Sequence, residues 1–186
     1  MANEDARRWD ERWAAGGMAP IAEDAPDWLV DHAPMLPREG TALEIACGRG
    51  RAAVWLAARG LQVHAVDVSP VAIELASRLA AAHNIGGSCR FEVHDLDDGL
   101  PAGGPVDIVL CNRFRAPELD VALVERLKPG GVLAISALSE VGGRPGRFRA
   151  KQGELVRAFA GLEVIADAEG DGRAWLLARR PVDVGA

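Results

Sequence analysis

The sequence predicts an α/β fold, a doubly wound sheet with one reversed strand at its end. Three observations carry that expectation. Short apolar runs alternate with helix-like stretches, the pattern of strand–helix–strand units around a largely parallel sheet. The first such run, Ala42-Leu43-Glu44-Ile45-Ala46, leads into Cys47-Gly48-Arg49-Gly50, a glycine-rich exit before an alanine-rich helix. Two late runs, Leu162–Ala166 and Ala174–Ala178, lie close enough across Glu169–Gly172 to pair as an antiparallel hairpin.

Each element has its own local reason. Residues 3–14 are charged but carry Trp9 and Trp13 four apart, so both indoles fall on one helical face. Such a segment either packs two indoles onto the body or covers a ligand. Gly16, Gly17 and Pro20 break it, and a second helix around Trp28-Leu29-Val30 ends before Pro34 and Pro37. After the first strand, Arg51–Arg59 reads as a helix closed by Gly60. Gln62–Val66 is the second strand, with Asp67 at its end. Ser69-Pro70 then supplies a serine N-cap and a proline in the first turn, and Val71, Leu75, Leu79 and Ala82 read as the core-facing stripe. Arg90–Val93 and Val106–Leu110 are strands three and four, and Pro117–Leu127 is a helix. Lys128-Pro129-Gly130-Gly131 has the proline and glycine placement of a type II turn. Val132–Ser136 is strand five, followed by a basic, glycine-rich loop over 139–151 and a helix over 153–160.

Open α/β sheets bind ligands at the carboxyl ends of their strands. The glycine-rich exit of strand one lies there, where the lack of a Cβ lets a ligand approach the backbone. Asp67, seventeen residues after Gly50, ends the neighbouring strand with a carboxylate suited to the two hydroxyls of a ribose. Together they predict a site for a nucleoside-bearing cofactor.

Composition sets the outer bounds. With 186 residues, 49% hydrophobic and 26% charged, the chain is expected to form one domain with a substantial core. A net charge of −6 argues against bulk binding to nucleic acid or an anionic membrane. No apolar stretch approaches the ~20 residues of a membrane span, and the first residues are polar, so a cytoplasmic location is expected. Cys47, Cys89 and Cys111 are widely spaced, which predicts neither a disulfide framework nor a metal site.

These residues carry a resemblance. Across 42–180 the chain resembles class I S-adenosylmethionine-dependent methyltransferases, whose first motif is an acid followed by alternating glycines. Here it stands as Glu44-Ile45-Ala46-Cys47-Gly48-Arg49-Gly50, with alanine for the first glycine. Asp67 in Val66-Asp67-Val68-Ser69-Pro70 is similar to the family's ribose-binding acid, and Asp95 in His94-Asp95-Leu96 to its adenine acceptor. Asp107–Asn112 and Leu127–Gly131 are similar to its later motifs. Asn112-Arg113-Phe114, Gly143-Arg144-Pro145 and Gly153-Glu154-Leu155 more narrowly resemble small bacterial methyltransferases of the tellurite-resistance type.

The resemblance implies a Rossmann-like, seven-stranded sheet in the order 3-2-1-4-5-7-6, the last strand antiparallel, with helices on both faces. It implies a single methyltransferase domain over 1–186, made of an N-terminal helical cap (1–38) and a core (41–180). The cofactor is S-adenosyl-L-methionine, with S-adenosyl-L-homocysteine as product. Its binding residues are Glu44, Ala46, Cys47, Gly48, Gly50, Asp67, Val68, Asp95, Leu96, Cys111 and Asn112, with Glu44 at the amino end. A small-molecule acceptor is expected, with no nucleic-acid or membrane partner, on a monomer or homodimer. Trp9, Trp13, Arg113, Arg144 and Arg147 are the candidate substrate residues. Arg115 and Arg149 belong to the same basic set, which would suit an anionic acceptor. No catalytic base is nameable, and no metal is expected. Two other readings stay open: an NAD(P)-binding oxidoreductase, since Gly48–Ala53 imitates GxGxxA, and a non-catalytic cofactor-binding module.

Overall fold

The structure is a computed structural model that describes residues 7–11, 25–146 and 149–182. Trp13 and Arg147 lie outside the described residues. The strands are β1 (Thr41–Ile45), β2 (Gln62–Asp67), β3 (Cys89–Val93), β4 (Val106–Cys111), β5 (Leu127–Ser139), β6 (Arg149–Ala150), β7 (Glu163–Gly170) and β8 (Arg173–Arg179). They take the order β3-β2-β1-β4-β5-β8-β7, with the two-residue β6 paired to β5. The predicted order is therefore present, and the eighth strand is the short β6, formed inside the loop expected over 139–151. The α-helices are α1 (Asp27–Asp31), α2 (Arg51–Ala58), α3 (Pro70–Ala82), α4 (Asp120–Arg126) and α5 (Glu154–Ala158), and residues 7–11 are also helical. The chain divides into two compact units, Met1–Ala102 and Gly103–Ala186.

In the first unit β1, β2 and β3 pair in parallel, Glu44 opposite Ala65 and Asp67 opposite Val93. Leu43, Ile45, Ala65 and Val66 are at most 1% exposed, as continuous apolar runs in a parallel sheet require. Ser69 caps α3 as expected, accepting from the Ala72 N–H at 3.0 Å. The buried stripe of α3, however, is Ala72, Ala76 and Ala80, while Val71, Leu75 and Leu79 are half-buried and Ala82 is exposed. Small side chains line the contact because the backbone comes close. A Cβ added to Gly50 would sit 2.6 Å from the Ala76 Cβ.

In the second unit β4 and β5 are parallel, and β8 runs antiparallel to both β5 and β7. Gly130 has the positive φ (79°) that the second central residue of a type II turn needs, yet the segment runs on as the start of β5. The reason is pairing. The Gly130 N–H donates to the Arg180 carbonyl at 2.9 Å, and the Arg180 N–H donates to the Gly131 carbonyl at 2.8 Å. The hairpin closes more tightly than the sequence suggested, on Asp171 and Gly172 alone, with φ of 50° and 73°. Two consecutive positive-φ residues of Asp-Gly type match the twist of the flanking strands. The helix expected over 117–127 begins as a 3-10 turn, Pro117–Leu119, before α4.

Candidate cofactor site

The turn after β1 is built from left-handed backbone. Ala46, Gly48 and Gly50 have φ of 51°, 53° and 69°. The Cys47 N–H donates to the Val66 carbonyl and the Gly50 N–H to the Cys47 carbonyl, each at 2.9 Å, so the loop is tied to β2 and to itself. Gly50 is also the residue from which α2 starts. No side chain caps that helix from Gly50, and Glu44 takes the place of a cap by accepting a backbone hydrogen bond from Ala53.

Two buried carboxylates mark the site. Glu44 is 2% exposed, and its Oε2 has no hydrogen-bond partner. Burial, with the Asp67 charge nearby, pushes its carboxyl up to about 8, against the single Ala53 hydrogen bond. Asp67 is 8% exposed at the end of β2. Its Oδ2 accepts from the Gly48 N–H at 2.8 Å and its Oδ1 from the Ser69 N–H at 3.0 Å. Burial raises the Asp67 carboxyl above its usual range; the backbone bonds from Ser69, Gly48 and Val68 pull it down, and Asp10 pushes it up. The backbone donors of Gly48, Val68 and Ser69 hold this carboxylate in one orientation. A carboxylate has about four lone-pair sites, so acceptor capacity remains for a ligand's hydroxyls.

Asp95 and Cys47, also predicted for this site, lie in the same unit. Asp95 ends the stretch after β3, and its Oδ1 accepts from the Asp97 N–H at 2.9 Å, starting the 3-10 turn Leu96–Asp98. One oxygen of Asp95 is thus committed to its own turn. Cys47 is buried, its Sγ 3.7 Å from the Gly48 carbonyl, and burial beside Glu44 and Asp67 drives its thiol pKa well up. It is filler, not a thiolate nucleophile. Trp9 is half-buried. The sequence reading missed Asp10, which accepts the hydrogen bond of the Ser69 hydroxyl. Nothing in the charged run around it singled out this acid.

In the second unit the ends of β4 and β5 form their own network. Ser136, 6% exposed, accepts from the Arg113 N–H at 2.9 Å and donates to Asn112 Oδ1 at 2.7 Å. Arg113 is exposed and has a φ of 57°. Ser136 was also missed, because only the parallel register of β4 and β5 brings it to Asn112. Cys111 is 1% exposed, with its Sγ donating to the Phe114 carbonyl at 3.3 Å. The basic set divides. Arg115 is bound to both oxygens of Asp120 (2.6 and 2.9 Å) and to Glu154 (2.8 Å), and Arg149 donates to the Ser139 carbonyl at 2.9 Å. These two hold the structure together, whereas Arg113 and Arg144 are exposed.

Residues 42–131 match the family model of a methyltransferase domain. Over those residues the chain is similar to methyltransferase domains. It is 34% identical over 116 residues to the ribosomal RNA small subunit methyltransferase C of Alcanivorax borkumensis, covering 57% of this chain and 34% of that protein. The chain spans 34% to 46% of the length of the curated relatives it matches. Among solved structures, TehB from Haemophilus influenzae superposes with a TM-score of 0.74 at 18% identity, covering 92% of this chain and 67% of that one. Geranyl diphosphate C-methyltransferase from Streptomyces coelicolor A3(2) gives 0.70 at 16% identity, covering 97% of both chains. At these identities the two structures share the methyltransferase fold. The described residues contain no helix long and apolar enough to cross a membrane.

Proposed function

We propose that the chain is an S-adenosyl-L-methionine-dependent methyltransferase acting on a small-molecule acceptor. The observation that carries this is the Asp67 carboxylate, held between the N–H groups of Gly48 and Ser69 beside a left-handed, glycine-rich turn. Its free lone pairs suit a ribose, and the unpartnered Oε2 of Glu44 suits the ammonium of an amino acid. The solved geranyl diphosphate C-methyltransferase contains S-adenosyl-L-homocysteine, which supports the same cofactor here.

Glu44, Ala46, Cys47, Gly48, Gly50, Asp67, Val68, Asp95 and Leu96 would hold the cofactor. The bound cofactor supplies an already electrophilic sulfonium methyl group. The protein's part is then to keep an acceptor in line with that methyl and to exclude water. Orientation of this kind contributes up to roughly 7–11 kcal/mol in favourable cases. The net charge of −6 disfavours a polyphosphate backbone as acceptor, while exposed Arg113 and Arg144 leave local positive charge for a small anionic one. We place this activity in the cytoplasm, on a monomer or homodimer.

Thermal unfolding with S-adenosyl-L-homocysteine, NAD and NADP, on the wild type and Asp67→Ala, tests the reading. A ligand at a hundred times its Kd stabilises by about 2.7 kcal/mol, a rise of several degrees for a chain of this size. The expected result is a rise with S-adenosyl-L-homocysteine alone, lost in Asp67→Ala. A rise with NAD or NADP instead would make the site a dinucleotide site. No rise with any of them removes the cofactor assignment.

A further inference from the structure

The helical turn over 7–11 reaches the start of α3 through the Asp10 side chain. Asp10 Oδ1 accepts from the Ser69 hydroxyl and lies 3.4 Å from the Val71 N–H. Ser69 is 0% exposed. Its hydroxyl has one proton to donate, which goes to Asp10, and its lone pairs accept from the Ala72 N–H at 3.0 Å. Its own N–H donates to Asp67 Oδ1 at 3.0 Å. One buried residue therefore joins the N-terminal turn, the start of α3 and the carboxylate assigned to the ribose. We propose that Asp10 is a positioning residue for the cofactor, locking Ser69 and, through it, the orientation of Asp67.

The inference rests on the S-adenosyl-L-methionine reading of the Asp67 site. A tie that served only to fasten a surface helix has no need of a charge at this point. An asparagine oxygen would accept the same hydroxyl without setting one acid beside another. Asp10 is an acid, and it pushes the Asp67 carboxyl up. The other ionisable groups coupled to Asp67 are Glu44 from β1 and Cys47 from the turn, neither of them basic. Asp10 thus acts on Asp67 twice: by geometry through Ser69, and by charge directly.

The two effects separate in a pair of variants. Isothermal titration with S-adenosyl-L-homocysteine is run on the wild type, Asp10→Ala and Asp10→Asn, each from pH 5 to 8. Asp10→Ala loses the acceptor for Ser69, and affinity at pH 8 falls about tenfold, the order of one charge-assisted hydrogen bond. Asp10→Asn keeps an acceptor oxygen and restores most of that affinity. Both variants remove the charge, so the pH below which binding weakens, set by protonation of Asp67, moves to a lower value in each. A purely structural tie would leave that limb where it is in the wild type. Equal affinity in all three proteins with an unmoved acid limb overturns the proposal while leaving the cofactor reading intact. Failure of the wild type itself to bind overturns both. If Asp10→Ala does not fold, the acid limb of Asp10→Asn alone decides.

Discussion

The strand ends of the two units are built in opposite ways. After β1 and β2 the protein uses backbone: left-handed turns, N–H groups aimed at Asp67, and carboxylates buried to within a few per cent of full coverage. After β4 and β5 it uses side chains: the Ser136 hydroxyl between Asn112 and the Arg113 N–H, Ser139 on Glu169 at 2.8 Å, and exposed arginines beyond. Backbone donors do not change when side chains do, so the first arrangement suits a ligand that stays the same. The second can be re-aimed by single substitutions, which suits whatever varies between relatives. The contrast fits a fixed cofactor and a variable acceptor.

The contrast breaks most severely at Gly50. A Cβ there would lie 2.6 Å from the Ala76 Cβ and 2.8 Å from the Phe91 ring, at a φ of 69°. Overpacking and left-handed strain each cost about 1–3 kcal/mol, so Gly50→Ala is expected to lose about 4 kcal/mol in denaturant unfolding. A loss below about 1 kcal/mol would mean that α3 stands off freely and that the turn is less tightly built than its contacts say.

Glu44→Gln comes next and tests the burial itself. The carboxyl at about 8 in the folded protein is far above its ordinary 4.5, so folding favours the protonated form. The stability it carries is fully present below pH 4.5 and drains away as pH rises to about 8. Glutamine does not titrate and can still accept from Ala53. Relative to the wild type, the variant should be equal near pH 4.5 and gain steadily to pH 8, by at most about 4 kcal/mol at 1.4 kcal/mol per unit. A flat difference across that range would show that Glu44 is ionised in the fold.

How much of this was readable beforehand follows the same divide. β1, β2 and the glycine turn were legible because apolar runs and positive-φ turns leave a local signature, and Asp67 was legible from its place at a strand end. The α3 stripe was misread because periodicity favours large residues, while the buried residues are Ala72, Ala76 and Ala80, with Gly50 close against Ala76. Asp10 meets Ser69 across 59 positions, and Ser136 meets Asn112 across 24. Such long-range partners depend on register and docking, which no local pattern encodes. Arg115 looked available for a substrate only because Asp120 and Glu154 could not be placed beside it from sequence.

Ser136→Ala probes the second arrangement. It leaves the Arg113 N–H without its acceptor and frees Asn112 to rotate, at a cost of about 1–2 kcal/mol in denaturant unfolding. S-adenosyl-L-homocysteine affinity should move less than in Asp67→Ala. If it fell as far, the two arrangements would share one role and the contrast would lapse.

The smallest effect is the most specific. Ala46 stands where the family's motif has glycine, and its φ is 51°. A left-handed alanine costs about 1–2 kcal/mol, because its Cβ crowds the neighbouring carbonyl oxygen. Glycine removes that cost but adds about 0.4–1 kcal/mol of unfolded-state freedom. Ala46→Gly should therefore gain about 1 kcal/mol or less, a rise in Tm of roughly 2–4 °C at most. Its S-adenosyl-L-homocysteine affinity should stay at the wild-type value, since the substitution leaves the backbone N–H groups of the turn in place. A loss of stability would instead show that the half-buried Ala46 methyl packs well enough to outweigh the strain. That outcome would place a side chain, and not only backbone, in the construction of the turn.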